Sequence, residues 1–334
     1  LNKYPLVSII IVNYNGEKYL DKLFESLQHQ TFKDFEIILV DNASKDNSLN
    51  IVHKYTESIS IKIITNNKNL GFCLANNQAI QLCSGKYIIF LNNDTYLDYQ
   101  WLEMLIEKAK CNKKACAIVS LIQQLSPFGV KEGPSQYDIY GAADGISENH
   151  FFYGTGASLF VRKDLLNDIG NFDPKLFMYQ DDVDLCWRIR LLGYDIFYEP
   201  KSICYHLKNS KGRLNDNLQM TLWKFFHAHC KNRLRLLIKN YSKTNVVRRL
   251  PIALALILIR SLFLSFVRRN PKYILCLVNG IFWNLYNLSD TLTMRHRVQG
   301  FRKENDSEII KFMLPYSVEL LYVGRILSLY VRAK

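Results

Sequence analysis

The chain has 334 residues, 49% of them hydrophobic, which is enough for one large domain or two modest ones. Its eight cysteines are scattered with no Cys-x-x-Cys pair, which speaks against a zinc ribbon, a thioredoxin-like centre or a disulfide framework and for reduced cytosolic thiols. Residues 1–200 carry 19 Lys+Arg against 24 Asp+Glu, a net −5, whereas residues 201–334 carry 24 against 6, a net +18. The basic back half is rich in Leu, Ile, Phe and Tyr, so it suits an anionic membrane surface and argues against nucleic acid as the partner. No signal peptide is expected, because Leu-Asn-Lys-Tyr-Pro runs straight into a strand, and the missing initial Met reads as a non-standard or trimmed start.

Residues 6–13 form a continuous apolar run, as expected of a strand buried on both faces. Tyr14-Asn15-Gly16 breaks it, and Tyr19, Leu20, Leu23, Phe24 and Leu27 then share one helical face over 17–30. Phe35 to Val40 is a second strand, Ser48 to Tyr55 a helix, Ile59 to Thr65 a third strand, Ala75 to Gln81 a helix and Tyr87 to Leu91 a fourth strand. This alternation predicts a mostly parallel sheet with right-handed crossovers, flanked by helices. A helix over 99–110, strands at Ala117–Ile122 and Ala157–Val161, and a short helix over Lys163–Ile169 follow. Asp182 to Leu192 reads as a helix stopped by Gly193, and Tyr194 to Glu199 as a last strand. Residues 123–150 have little periodicity, and a loop of that length is usually functional. Beyond residue 212 the pattern is helical, which gives a domain at 1–212 and a helical, membrane-associating region at 213–334.

In an open α/β sheet, ligands bind beyond the carboxyl ends of the strands. Every predicted strand ends in a polar cluster, so Asn13, Asp41, Asn66 and Asp94 are expected on one rim. Asn92-Asn93-Asp94 can hold a divalent cation, although the same residues make ordinary turns and caps. Tyr14 can stack a base, and Asp41 can accept from a base or ribose; Ser44 and Asp46 can equally cap the next helix. Asn66 to Phe72, with Asn69 and Gly71, offers amide donors near the same rim, or is a plain Gly-containing loop. Asp181 and Asp182 are adjacent acids beside Phe177, Met178 and Trp187, a setting that raises a carboxylate toward general-base range. Acids in a first helical turn also simply complement the helix dipole. Asp184 is spaced to pair with Arg188. His206 follows the final strand and can return to the metal, although a lone His is more often structural.

Taken together, VSIIIVNYNG (7–16), VDNASKD (40–46), NKNLGF (67–72), GKYIIFLNNDT (85–95), GTGASLFVRK (154–163), GNFDPKLFMYQDDVDLCWRIRLLGY (170–194) and His206 resemble the inverting family 2 glycosyltransferases of the GT-A fold. Within that family the likeness is to rhamnosyltransferase-like members of surface-polysaccharide assembly, and it extends over about residues 6–240. The resemblance implies a Rossmann-like catalytic domain with nucleotide-sugar contacts at Asn13, Tyr14, Asp41, Asn69, Gly71 and Asn93. It implies a Mg²⁺ or Mn²⁺ ion at Asp94 and His206, and Asp182 as general base beside Asp181, which stands where the family usually has Glu. The implied donor is a nucleoside diphosphate sugar, with rhamnose the suggested sugar, and the implied acceptor is a glycan or polyprenyl-linked hydroxyl. The loop 123–153 would line the acceptor side. Asn92 departs from the family's first DxD aspartate, which weakens the expected metal affinity; several rhamnosyltransferase-like relatives also have Asn there.

Residues 222–239 mix aromatics and cations as interfacial helices do. Residues 250–267 are apolar apart from Arg260 and are flanked by Arg248, Arg249, Arg268 and Arg269; a central Arg is costly in a bilayer, so a surface-lying or shallow hairpin is expected over a span. Tyr273, Trp283 and Tyr286 in the next apolar run suit a headgroup belt. The expected location is therefore the cytoplasmic face of the cell membrane, with helix packing or a homodimer as the alternative use of these surfaces. Two other functions remain open: a catalytically degenerate scaffold, which the Asn92 departure allows, and a nucleotidyltransferase, for which residues 13–18 offer only one Gly and one Lys.

Overall fold

The computed structural model describes residues 4–112, 115–124, 131–207 and 218–332. The expected boundary at 212/213 and part of the loop 123–153 lie outside the described residues. The chain divides into two compact units: Leu1–Pro134, Tyr153–Arg190 and Tyr194–Arg213 form the first, and Ser135–Phe152, Leu191–Gly193 and Leu214–Lys334 the second. Two short excursions, 135–152 and 191–193, therefore belong with the helical back half.

The first unit follows the predicted alternation. In chain order it holds β1 (Val7–Asn13), α1 (Glu17–Gln28), β2 (Phe35–Asp41), α2 (Ser48–His53), β3 (Ile61–Thr65), α3 (Gly71–Ile80) and β4 (Tyr87–Asn92). Then come β5 (Thr95–Leu97), α4 (Trp101–Cys111), β6 (Ala117–Gln124), β7 (Lys131–Glu132), β10 (Ser158–Arg162), α5 (Lys163–Ile169), α6 (Asp181–Leu191) and β11 (Ile196–His206). The sheet order is β3-β2-β1-β4-β10-β6-β11-β5, with β7 on β6. The long strands are mostly parallel; β10 runs antiparallel to both β4 and β6. Val7, Ile9, Ile10 and Ile11 are fully buried, as the unbroken apolar run requires of a central strand covered on both faces. Helix α1 buries Leu20, Leu23, Phe24 and Leu27, four of the five predicted positions.

Polar groups tie the sheet together where it is driest. Trp101 Nε1 donates to Ser120 and Ser158 at 3.0 and 3.1 Å, and Ser202 donates back to the Trp101 carbonyl at 2.9 Å. One buried tryptophan thus bridges β6, β10 and β11 with its N–H satisfied. Three expectations are corrected. The short strand β5 was not foreseen. The last strand does not stop at Glu199: it continues through Pro200 to His206, with a bulge between Glu199 and Ile203. A bulge is where a proline, lacking an N–H, can sit in a strand. Helix α3 starts at Gly71, four residues earlier than its apolar pattern indicates.

The second unit holds a small hairpin, β8 (Ser135–Tyr137) with β9 (Ala143–Ile146), and helices α7 (Leu218–Phe225), α8 (Asn232–Asn240), α9 (Lys243–Val267), α10 (Lys272–Tyr286), α11 (Leu288–Phe301), α12 (Asp306–Ile310) and α13 (Val318–Arg332). A π-helical turn, Phe226–Lys231, joins α7 to α8. The interfacial reading of 222–239 is corrected here. Lys231, Arg233, Arg235 and Lys239 are buried, and Arg233 lies 2.8 Å from buried Glu319. Arg260, expected to burden an apolar helix, is also turned inward, 3.4 Å from the same carboxylate.

Candidate active site

The site grows from strand register. In the β1/β2 pair Asn13 stands opposite Asp41, so their side chains meet: Asn13 Nδ2 donates to Asp41 Oδ1 at 3.0 Å. Ser44 closes the group, donating its hydroxyl to Asp41 Oδ1 at 2.6 Å and its backbone N–H to Oδ2 at 3.0 Å. Its predicted capping role is thus replaced by a contact with Asp41. Asp46 does cap, but it accepts the Glu17 N–H of α1 at 3.0 Å as well as the Ser48 hydroxyl. Burial works to raise the Asp46 carboxyl, yet these donors hold it below its ordinary value.

On the other side of β1, Asn93 Nδ2 donates to Asn13 Oδ1 at 2.7 Å. Gly16 makes this possible, since a Cβ there would stand 2.1 Å from Asn13 Oδ1 and 2.5 Å from Asn93 Nδ2. Tyr14 is 48% exposed at this turn. Asn66 donates to Asn42 at 2.9 Å, and Asn42 donates to the Gly71 carbonyl at 3.2 Å. Asn69 accepts the Gly71 N–H at 2.9 Å, so its amide oxygen shapes the loop, the plain reading of this segment. The expected gathering of strand ends is therefore a hydrogen-bonded rim from Asn66 to Asn93.

Next to Asn93, Asp94 Oδ1 lies 3.0 Å from His206 Nε2, and the Asp94 carbonyl accepts the Leu207 N–H at 2.8 Å. The β5/β11 pairing sets Thr95 opposite His206 and so delivers the imidazole to Asp94. The Asp94 carboxylate oxygen suits Mg²⁺ or Mn²⁺, and the imidazole nitrogen would add a softer donor, so the two could form a partial ligand set. No cluster of three or more His, Cys, Asp or Glu able to hold a metal exists among the described residues, so further donors would have to come from a bound diphosphate or water.

Asp182 joins the rim through β10. The Asn92 N–H donates to the Ala157 carbonyl at 3.2 Å, and the neighbouring Gly156 N–H donates to Asp182 Oδ2 at 3.2 Å. Val183 N–H donates to Asp182 Oδ1 at 2.8 Å. Asp181 is buried and is pushed well above the usual carboxylate range, first by burial and then by the Asp182 charge beside it. Adjacent like charges favour one proton on the pair. Asp184 pairs with Arg188 at 3.0 Å, as spaced, and Arg188 also caps the carbonyls of Ile169 and Gly170 at 2.8 and 2.7 Å.

The segment before α6 carries a feature the sequence did not disclose. Phe177, Tyr179 and Gln180 have φ of 69°, 68° and 62°, although none is glycine. Each such residue costs roughly 1–3 kcal/mol and persists only where its surroundings enforce it. Gly156 and Ser44 were likewise not singled out as site residues, although both lie inside the quoted motifs.

Residues 8–170 match the family model described as Glycosyl transferase family 2. The chain is 25% identical over 217 residues to the poly-beta-1,6-N-acetyl-D-glucosamine synthase of Staphylococcus epidermidis, a match that covers 60% of this chain and 50% of that protein. The chain thus spans about half the length of the curated relatives it matches. Among solved structures, S. aureus TarS 1–349 in complex with UDP-GlcNAc aligns with a TM-score of 0.52 at 19% identity, covering 92% of this chain and 89% of that one. The mannosyltransferase PcManGT from Pyrobaculum calidifontis, in complex with GDP-Man and Mn²⁺, aligns with a TM-score of 0.51 at 15% identity, covering 90% and 86%. At such identities these two likenesses concern the fold alone. Residues 8–170 are thus similar to glycosyl transferase family 2, and the α/β unit that contains them has the GT-A fold of these neighbours.

Proposed function

We propose that the protein transfers a sugar, with inversion, from a nucleoside diphosphate sugar to a hydroxyl of a glycan or polyprenyl-linked acceptor in surface-polysaccharide synthesis. The observation that carries this reading is the continuity of the rim: Asp41, Asn13 and Asn93 lead to Asp94 and His206 on one side and, through Ala157 and Gly156, to Asp182 on the other. Tyr14 stacks on the base, and Asp41, pre-oriented by Ser44 and Asn13, accepts from base or ribose. Asn69 and Gly71 border the diphosphate. Asp94 and His206 would hold a divalent cation, Mg²⁺ or Mn²⁺, which when bound offsets the charge of the diphosphate leaving group. Mn²⁺ and a nucleotide sugar accompany one structural neighbour, in support of that assignment.

A sugar hydroxyl is a weak nucleophile, so its proton must leave as the new C–O bond forms. Asp182 takes that proton. Burial and the Asp182 charge raise the Asp181 carboxyl, which favours the proton of the pair on Asp181 and the negative charge on Asp182. Rhamnose is the sugar suggested by the motif resemblance. The apolar, Arg-flanked helices α9 and α10 hold the protein on the cytoplasmic face of an anionic membrane, close to lipid-linked acceptors.

The test is a donor panel of UDP-, GDP- and dTDP-sugars with Mg²⁺ or Mn²⁺, read by ligand-induced thermal shift and by nucleoside diphosphate release. Asp182→Asn is expected to lower kcat by about 10²–10⁴-fold while the thermal shift survives. Near-normal turnover in that variant overturns the base assignment, and full activity in EDTA overturns the metal.

A further inference from the structure

We propose that Phe177 is a positioning residue, whose ring, seated on Gly71, ties the loop 69–72 to the helix start that carries Asp182. The inference rests on the reading of Asp182 as the base and of residues 69–71 as the diphosphate border. The backbone at Phe177 has φ 69° and ψ −65°, and the Met178 N–H donates to the Leu176 carbonyl at 2.9 Å. That is the γ-turn of the rare, strained hand. Tyr179 and Gln180 continue in left-handed conformation, and Asp181 opens the helix directly afterwards. Strain of this kind relaxes unless something enforces it.

Two contacts enforce it. A Cβ on Gly71 would lie 2.5–2.8 Å from three atoms of the Phe177 ring, so the ring occupies the space that only glycine leaves. Gly71 itself sits at φ +82°. The Phe177 carbonyl accepts the Cys73 N–H of α3 at 3.1 Å. From Gly71 the linkage continues to Asn69 through its N–H and to Asn42 through its carbonyl, and Asn42 adjoins Asp41. A second route starts at the next residue. The Phe72 ring lies 3.7–3.9 Å from the Cβ position of Gly156, whose N–H holds Asp182. The loop that borders the donor diphosphate is therefore linked to Asp182 twice, once through its backbone approach and once through its carboxylate. Donor and base are kept in one frame, and a misplacement near 1 Å is enough to cost about 10²-fold in rate.

The test compares Phe177→Gly with Phe177→Tyr in the full chain. Glycine accepts the backbone angle without strain but removes the ring, so the fold survives while the tie is lost. Phe177→Gly is expected to lower kcat about 10–100-fold with donor KM changed less than about threefold, and Phe177→Tyr to retain wild-type values. The second readout needs no turnover: aspartate carboxyls labelled with ¹³C are titrated by NMR. Wild type and Phe177→Tyr are expected to show one carboxyl titrating well above the ordinary aspartate range, and Phe177→Gly to show it moved back toward that range. Wild-type kcat together with an unmoved titration in Phe177→Gly overturns the proposal, as does a loss of thermal stability alone. If no donor in the panel is turned over by the wild type, the glycosyl-transfer reading fails, and the titration still decides the role of Phe177.

Discussion

The two units distribute polarity in opposite ways. In the first, apolar strands fill the interior and the carboxylates gather at the rim: Ile9, Ile38 and Ile89 are inaccessible, while Asp94 and Asp182 face the strand ends. In the second, charge is inside and much apolar surface is outside. Arg233, Arg235, Lys239, Asp138 and Glu319 are buried, whereas Phe266, Phe282 and Tyr286 are 80%, 65% and 90% exposed. The same rules act in both. A sheet buried on two faces can offer polar side chains to a ligand only at its ends. A helical unit with exposed Leu, Ile and Phe has an apolar medium or partner to satisfy. Net charge alone therefore misreads the back half: some of its 24 Lys and Arg side chains are buried and paired with carboxylates inside the unit.

The sharpest way to break this contrast is to remove the carboxylate at the centre of the second unit. Glu319 faces Arg233 at 2.8 Å and Arg260 at 3.4 Å. Arg233 also donates to the Tyr140 carbonyl at 2.8 Å, and Asp138 accepts the N–H groups of Tyr140, Ala142 and Val318. Glu319→Ala strands two cations in the interior and is expected to cost about 3–5 kcal/mol. Hydrogen exchange should accelerate over residues 218–332 and stay unchanged over residues 4–112. Equal acceleration in both ranges would show that the two units do not differ in the way argued here.

The outward apolar surface is the next target. Among the described residues one helix, Lys243–Val267, is long and apolar enough to cross a membrane, and 28% of its most apolar window is buried. Ile252, Leu258, Ile259, Leu262 and Phe266 on this helix are exposed, as are Leu275, Val278, Phe282 and Leu285 on the next. Arg268, Arg269 and Lys272 are exposed where the two helices join. Arg260 no longer opposes lipid contact, because it is drawn to Glu319. Each large side chain taken from water contributes roughly 1.5–3 kcal/mol, and each cation near an anionic surface about 1 kcal/mol. Phe266→Ser with Phe282→Ser should weaken co-sedimentation with anionic vesicles about 10²–10⁴-fold, and high salt should weaken the wild type only in part. Unchanged sedimentation of the double variant removes the membrane assignment. A vesicle-free dimer that the double variant disrupts would assign the surface to a second copy.

These two regions were also unequally legible in the sequence. Strands such as 7–13 and 35–41 announce themselves by unbroken apolar runs, and the residue after each run falls on the rim by topology alone. Asp41 and Asp94 were therefore locatable, Asp182 stood out as one of two adjacent acids opening a helix, and Asp184 with Arg188 followed from helical spacing. The partners of Arg233 and Arg235 were not. Glu319 and Asp290 lie 86 and 55 positions along the chain from them, so an inward-facing cation looks the same in sequence as a lipid-facing one. β5 is too short to show a period, and Pro200 argued for a strand end where a bulge lets the strand continue. The positive φ angles at Phe177, Tyr179 and Gln180 have no glycine to mark them, and Gly71, on which the Phe177 ring packs, lies more than a hundred residues earlier.

The smallest effect tests the first unit where a charge is buried for structural reasons. Glu36 on β2 accepts the Ser8 hydroxyl at 2.7 Å and the Ser84 N–H at 2.6 Å, and pairs with Lys62 at 2.8 Å. Burial works to raise its carboxyl, but Lys62, Ser84 and Ser8 together hold it below the ordinary value. A carboxyl lowered on folding adds stability above its unfolded pKa, near 4.3, and that stability disappears as pH falls through the folded value. Glu36→Gln keeps an oxygen for Ser8 or Ser84 but loses the charge, so it should cost about 1.5–2 kcal/mol at pH 7, the low end of the range for hydrogen bonds to ionised groups. Urea unfolding of both proteins between pH 7 and pH 3 should show the gap narrowing below about pH 4.3. A gap that stays constant to pH 3 would mean that the Glu36 contacts act through shape and not through charge.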